Sequence, residues 1–255
     1  MKIKYLLLTL MLASGLFGQT RRLVWSDEFD VPGLPDSTKW SYEEGLVRNR
    51  EVQYYTKARP ENARVEDGCL VIESRKEPWG KAGYTSASLH TCGKASWTYG
   101  RIEVRAQLPT GRGMWPAIWL LGVDQSEVHW PTCGEIDIME NVGFDPDRIF
   151  ANIHTKAYNH VKKTNKGASL VVPKPYEAFH VYAIDWTPER IEFFVDSTRY
   201  FTFANEGMGR DAWPFDQAQY LILNTAIGGS WGGEKGIDDS IFPRRFRIDY
   251  VRVYQ

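Results

Sequence analysis

The segment Arg101-Ile-Glu-Val-Arg-Ala-Gln-Leu108 alternates polar and apolar residues without a fault. Side chains on an extended chain point to opposite faces in turn. A run with period two therefore buries one face and wets the other only as a strand. Ile149–His154, His180–Trp186 and Arg245–Tyr250 repeat the pattern, and Arg190 to Phe203 reads as a hairpin turning near Asp196-Ser197. Beyond the N-terminal region no segment carries an apolar stripe at the helical period of about 3.6 residues. There is no internal repeat, low-complexity tract or linker, and Gly and Pro punctuate the chain throughout. Many short strands separated by turn signals predict an all-β sandwich or barrel in one domain.

Composition narrows the function classes. With 255 residues, 43% of them hydrophobic, the chain can build a sizeable core. A net charge of −1 gives no electrostatic reason to expect a nucleic-acid or membrane-surface partner. Aromatic residues reach 14%, with 10 Trp and 13 Tyr, which suits core filling and equally suits the flat C–H faces of sugars. The N-terminus combines Lys2 and Lys4, an apolar run from Tyr5 to Leu12, and small residues at Ala13, Ser14, Gly15 and Gly18. This pattern predicts a signal peptide over residues 1–18, removed somewhere around Gly15 to Gln19, with a mature domain over 19–255 that is secreted or periplasmic. The apolar run is too short to span a bilayer. Cys69, Cys92 and Cys133 fit no zinc spacing, and no pair among them is assigned.

Gly134-Glu-Ile-Asp-Ile-Met-Glu140 places three carboxylates among apolar side chains. As a helix, at about 100° per residue, Glu135, Asp137 and Glu140 do not share a face. As a regular strand, Glu135 and Asp137 share one face while Glu140 points to the other. A β-bulge at Ile138-Met139 inserts one residue, shifts the phase and returns Glu140 to the face of the other two acids. Three carboxylates on one face repel, which raises at least one pKa and keeps that group protonated near neutrality. One acid held protonated beside one ionised is what cleaving a glycosidic bond requires. A solvated acidic edge strand and a metal site are the competing readings; the stretch lacks the Gly turn and oxygen-rich loop of an EF-hand.

In its surroundings the stretch resembles glycoside hydrolase family 16, and within it the bacterial laminarinase-like β-1,3-glucanases. The resemblance rests on Trp25-Ser-Asp-Glu-Phe-Asp30, Asn49-Arg-Glu-Val-Gln-Tyr-Tyr-Thr56, Tyr99-Gly-Arg-Ile-Glu103 and Gly113-Met-Trp-Pro-Ala-Ile-Trp-Leu-Leu121. It continues through Gly134–Glu140, Leu223-Asn-Thr-Ala-Ile-Gly-Gly229 and Asp249-Tyr-Val-Arg-Val-Tyr254, in order, from about Leu23 to Gln255. It implies a curved β-sandwich of jelly-roll type whose concave sheet forms an open substrate cleft. It also implies endo-acting hydrolysis of β-1,3-glucan (laminarin) or mixed-linkage β-1,3/1,4-glucan by a retaining double displacement. Glu135 is similar to the family nucleophile and Glu140 to the acid/base, with Asp137 between them setting their protonation.

By the same comparison Asn49, Glu51, Trp115, Trp119, His154 and Trp231 are expected to bind substrate. Trp115 and Trp119, four residues apart, share a strand face as a stacking platform needs. For Trp231, in Gly-Gly-Ser-Trp-Gly-Gly, and for Trp130, loop packing and a cleft position stay equally open. Arg50 departs from the Asn found in many relatives, and Cys133 reads as a small buried filler. No cofactor is needed for the chemistry; a structural calcium on the convex face, at Glu28, Gly68 and Asp249, is a further implication of the resemblance. The expected partner of a monomer is a polysaccharide. An agarase- or carrageenase-like enzyme, or a glucan-binding protein on the same scaffold, is the alternative; the latter typically lacks the acids that Glu135 and Glu140 supply here.

Overall fold

The computed structural model describes residues 21–255, so the expected signal peptide lies outside the described residues. Two antiparallel-dominated sheets face each other across one continuous core. The seven-stranded sheet runs, edge to edge, through Lys166–Val171, Asp145–His154, Glu135–Val142, Met114–Gly122, Gln219–Ile227, Ser88–His90 and Ser41–Tyr42. The opposing ten-stranded sheet is centred on Gly100–Gln107 and Arg244–Tyr254. The two sheets do not close into a barrel, and the result is the expected jelly-roll sandwich with an open concave face. The helical content of the described residues is one four-residue helix, Gln125–Val128, and two short 3-10 turns. No helix among them is long and apolar enough to cross a membrane.

The alternation read from sequence sets the faces. In Gly100–Gln107, Ile102, Val104 and Ala106 enter the core, while Arg101 and Glu103 pair on the outside at 2.5 Å. In Asp145–His154, Ile149, Ala151 and Ile153 point inward, which leaves Phe150, Asn152 and His154 on the concave side. Arg190–Val195 and Thr198–Ala204 form the expected hairpin, with Asp196 at positive φ (52°) in its turn.

The acid strand Glu135–Val142 holds the fold's decisive irregularity. Against Asp145–His154, Asp137 pairs with Asn152 and Glu140 with Phe150, three residues against two. Against Met114–Gly122, Asp137 faces Trp119 and Met139 faces Ile118, two residues against one. One residue is therefore extra at Ile138-Met139, the expected bulge. Ile136, Ile138 and Met139 are all buried in the main core, while all three acids open onto the concave face. Gly134 makes the entry possible: its φ is +80°, and a Cβ there would lie 2.6 Å from Pro214.

Deleting Met139 leaves three acids in regular alternation, so all three stay on the cleft face without a bulge. The deletion variant is expected to fold, with stability lowered by the loss of one core side chain, about 2–5 kcal/mol, and to keep measurable activity. An alanine inserted after Met139 drives Glu140 toward the core and is expected to abolish activity. Circular dichroism melting and hydrolysis assays on both variants test the phase argument, which fails if the insertion keeps wild-type rates.

Candidate active site

A cavity of about 510 Å³ opens on the concave sheet, with the acid strand on its floor. Each acid is held by groups that the sheet register brings to it. Trp130 Nε1 donates to Glu135 Oε2 at 3.0 Å. Trp115 Nε1 and Asn152 Nδ2 donate to the two oxygens of Glu140 at 3.0 and 2.9 Å. His154, across the strand from Glu135, sets its Nε2 3.6 Å from Glu135 Oε1 and 3.4 Å from Asp137 Oδ2. Asp137 Oδ2 is buried and accepts no hydrogen bond from the described residues. The site residues expected from sequence on this strand and its neighbours are thus brought together; so is Trp130, whose position sequence left open.

Burial dominates the electrostatics. Loss of solvent raises all three carboxyl groups, Glu135 to about 8. The Asp137 charge adds to the rise at Glu135 and His154 opposes it. Asp137 is pushed well above the ordinary carboxylate range by burial and then by Glu140. At Glu140 the N–H groups of Asn152 and Trp115 pull the other way. The charged form of a carboxylate is stabilised by the N–H groups it receives, so within the trio the donor-poor Asp137 is the cheapest to protonate. A proton on Asp137 leaves Glu135 free to ionise, against the push of its own burial.

The aromatic wall is built around Trp115. Trp231 packs edge-on against it, with ring centroids 5.6 Å apart, and against Phe150 at 4.9 Å. The glycines around Trp231 allow that approach: a Cβ on Gly232 would lie 2.8 Å from the Trp115 Cβ, and Gly229 adopts φ +75°. Trp231 is therefore a cleft aromatic and not a loop filler. Trp119 shares the strand face but is only 7% exposed, and it packs in a small apolar cluster with Leu121, Cys133 and Ile222. Its Nε1 donates to Asn224 Oδ1 at 2.8 Å, and the Arg48 guanidinium sits over its ring at 5.0 Å. The two tryptophans share a side of the sheet, as expected, but they do not form one open platform, because Arg48 covers the second.

Arg48 carried no signal in the sequence. It is fixed by an ion pair with Glu43, which also accepts from Ser88 Oγ at 2.6 Å, and its Nη1 is buried without a partner. Asn49 and Glu51 line the cleft as expected. Glu51 accepts from Asn49 (3.2 Å), Gln53 (2.7 Å) and Tyr55 (3.1 Å), and Tyr55 in turn accepts from Asn224 at 3.0 Å. Glu51, Gln53 and Tyr55 alternate in sequence, so a period-two reading of that segment could have joined them. His160 also lines the cleft, tilted at 36° to the Trp130 ring with centroids 5.1 Å apart, and nothing local in the sequence singled it out.

The register brings Glu28, Gly68 and Asp249 together beside the middle of Arg244–Tyr254, where Leu23–Asp27 ends and Cys69–Trp79 begins: Asp27 pairs with Val251 and Leu70 with Ile248. Their carboxylates are engaged: both oxygens of Glu28 accept from Arg252 (3.0 and 2.8 Å), and Asp249 Oδ2 accepts from Arg105 (2.6 Å). As side chains they do not form a calcium cage; an ion there would rely on main-chain oxygens and the second oxygen of Asp249. The three cysteines are free thiols, and Cys133 is buried as expected, its thiol pushed up to about 12 by desolvation.

A buried carboxylate trio on the floor of an open, aromatic-walled cleft is the equipment of a glycoside hydrolase. The chain belongs to that class by descent as well: the model of the glycosyl hydrolases family 16 matches residues 50–252, and the protein is a member of this family. It is 52% identical to a β-glucanase of Rhodothermus marinus over 98% of this chain and 93% of that one. The laminarinase structure from Rhodothermus marinus superposes with a TM-score of 0.90 at 54% identity, covering 92% of this chain and 97% of that one. A structure described as a non-specific endo-β-1,3(4)-glucanase, SCLam, gives a TM-score of 0.89 at 50% identity, covering 93% and 92%.

The raised acids make stability depend on pH. The pKa of Glu135 rises from 4.5 to about 8 on folding, and Asp137 and Glu140 shift in the same direction. The native chain then binds more protons than the unfolded one, so stability is fullest below about pH 4.5 and is lost as pH climbs toward 8. Melting temperature is expected to fall over this window in the wild type, and less steeply in Asp137→Asn. Parallel curves for the two proteins would count against a shared buried charge.

Trp115 and Trp119 are expected to fail differently. In a Glu135→Gln background, Trp115→Ala should weaken oligosaccharide binding by about 1–3 kcal/mol. Trp119→Ala should instead lower folding stability by about 3–5 kcal/mol, since its ring is packed. Calorimetric titration and thermal melts separate the two, and equal binding losses with no loss of stability would return Trp119 to the sugar platform.

Proposed function

We propose that the protein is an exported endo-acting hydrolase of β-1,3-glucan or mixed-linkage β-1,3/1,4-glucan that works by retaining double displacement. The single observation carrying the roles is the bulge, which sets Glu135 and Glu140 on one cleft floor with Asp137 between them. Glu135, with Oε2 anchored by Trp130, presents Oε1 to the anomeric carbon and attacks it. Glu140 gives its proton to the departing oxygen, and Trp115 and Asn152 stabilise the carboxylate that remains. Glu140 then takes a proton from the water that releases the sugar. Asp137 keeps the proton that lets its neighbour ionise. Asn49, Glu51, Trp115, His154 and Trp231 orient the chain of sugars, and binding energy from residues outside the reacting bond positions it.

A neutral polymer suits this cleft better than a sulfated one. Among the described residues lining it, Arg48 is the sole Lys or Arg, and Glu43 pairs with it. Export rests on the N-terminal sequence pattern, and the open cleft suits a polymer met in the middle of its chain. A calcium ion beside Asp249, on the sheet opposite the cleft, would be structural and remote from the chemistry.

Incubation with laminarin, barley glucan, agarose and carrageenan, with products resolved by size, tests the substrate class. Short oligosaccharides released from within the first two polymers are expected; products from agarose or carrageenan alone would reject the glucan reading. Glu135→Gln should lose essentially all hydrolysis while staying folded. Glu140→Ala should lose far more on glucans than on aryl glucosides with good leaving groups, because a phenolate departs with little proton donation. Azide should partly restore Glu140→Ala and yield a β-glycosyl azide; an α-azide product would exchange the roles of the two glutamates.

A further inference from the structure

Glu135, Asp137 and His154 also meet the geometric demands of a divalent transition-metal site. Their ligand atoms all lie within 4.8 Å of one another. His154 Nε2 stands 3.6 Å from Glu135 Oε1 and 3.4 Å from Asp137 Oδ2. Two ligands on a tetrahedral zinc ion, each bonded at about 2.0–2.2 Å, stand roughly 3.4 Å apart, so both separations need almost no movement. The donor oxygens are free for the purpose. Trp130 occupies the other oxygen of Glu135, and Asp137 Oδ2 is a buried acceptor, on a residue only 4% exposed, with no hydrogen-bond donor. His154 is 6% exposed at the end of the strand paired with the acid strand, and with no hydrogen-bond partner on Nδ1 among the described residues its ring is placed by packing beside Trp130 and His160. The cleft supplies the entry path and leaves room for water at a fourth position.

We infer that this trio binds one borderline-soft divalent cation, zinc, cobalt or copper, in competition with substrate. One imidazole and two carboxylate oxygens suit these ions, whereas calcium seeks six to eight oxygens and magnesium a near-octahedral shell rich in water. The ion binds the neutral ring through the Nε2 lone pair and covers Glu135 Oε1. Hydrolysis stops because the oxygen proposed above to attack the sugar is then engaged; this inhibitory consequence rests on that assignment, while the binding itself does not. The site is thus a metal-sensitive off-state of the same three side chains.

Cobalt(II) is the probe, since its visible absorption separates tetrahedral from hydrated octahedral coordination without any substrate. Titration of the full chain is expected to give intense tetrahedral bands saturating at one ion per chain. His154→Ala and the isosteric Asp137→Asn should each weaken zinc binding by more than about tenfold, by analogy with the cost of disturbing metal-site partners, while His160→Ala, beside the trio but outside it, should not. Zinc should raise the apparent KM for laminarin and be reversed by chelator, with magnesium and calcium inert. Weak octahedral bands, or bands unchanged in both His154→Ala and Asp137→Asn, would overturn the site. Tight binding that leaves laminarin hydrolysis untouched would overturn the inhibitory role, and a protein inactive on every glucan yet binding cobalt tetrahedrally would reject the function reading and keep the metal site.

Discussion

One extra residue in a strand decides what this protein can do. A regular strand offers a face every second residue, and the interval from Asp137 to Glu140 breaks that rule. The bulge at Ile138-Met139 restores the phase by turning two consecutive apolar side chains into the core. The core gains both side chains, and the cleft gains a third acid at the place where Trp115 and Asn152 can hold it. Register in the flanking strands is fixed by their own buried faces, so the acids cannot relax by slipping. Packing and chemistry depend on the same irregularity, and a change that serves one disturbs the other.

The two faces of the sandwich treat charge in opposite ways. On the outer face of the ten-stranded sheet, buried Glu73 receives Arg64 at 3.0 Å and Arg245 at 2.9 Å and pairs with Arg75, so its charge is met by guanidinium groups. On the concave face the three acids have no Lys or Arg partner among the described residues; they have N–H donors, one histidine and each other. A carboxylate whose charge is met by guanidinium groups has its charge spent in ion pairs, whereas the unpaired buried acids of the cleft, all raised by loss of solvent, can hold a proton and give it away. The concave face is thus the less stable arrangement, and the large core beneath it supplies the stability that tolerates it.

Much of this was legible from residues in order. Alternation in Arg101–Leu108 and Ile149–His154 fixed which side chains enter the core, and the uneven spacing of Glu135, Asp137 and Glu140 demanded a bulge at one place. These are local signals, because a strand's facing is set by its own period. What stayed hidden depended on contacts between distant segments. Arg48 lies on a loop, and only the folded chain lays it over Trp119, so the expected second stacking surface turns out to be covered. The carboxylates of Glu28 and Asp249 look available in sequence, yet their partners Arg252 and Arg105 lie 224 and 144 positions away. Trp130 was undecided because its neighbours say nothing of the indole N–H that meets Glu135.

The covered tryptophan changes how the cleft divides its labour. Trp115 with Trp231 and Phe150 presents apolar surface on one side of the acids. Beside it Arg48, Asn49 and Glu51 present polar groups, the main chain of Asn49 and Glu51 joining the Trp231 loop at Ser230 and Gly228 and the Glu51 side chain tied to the sheet through Gln53, Tyr55 and Asn224. Aromatic surface binds a sugar by area and tolerates sliding, while fixed donors and acceptors reward one register of hydroxyls. A sugar seated here would meet both kinds of surface, gripped by area on the rings and indexed by the polar groups beside them. Arg48, Asn49 and Glu51 are thus the groups whose donors and acceptors, fixed before any sugar arrives, can tell one arrangement of hydroxyls from another, and the buried Nη1 of Arg48 has no partner among the described residues.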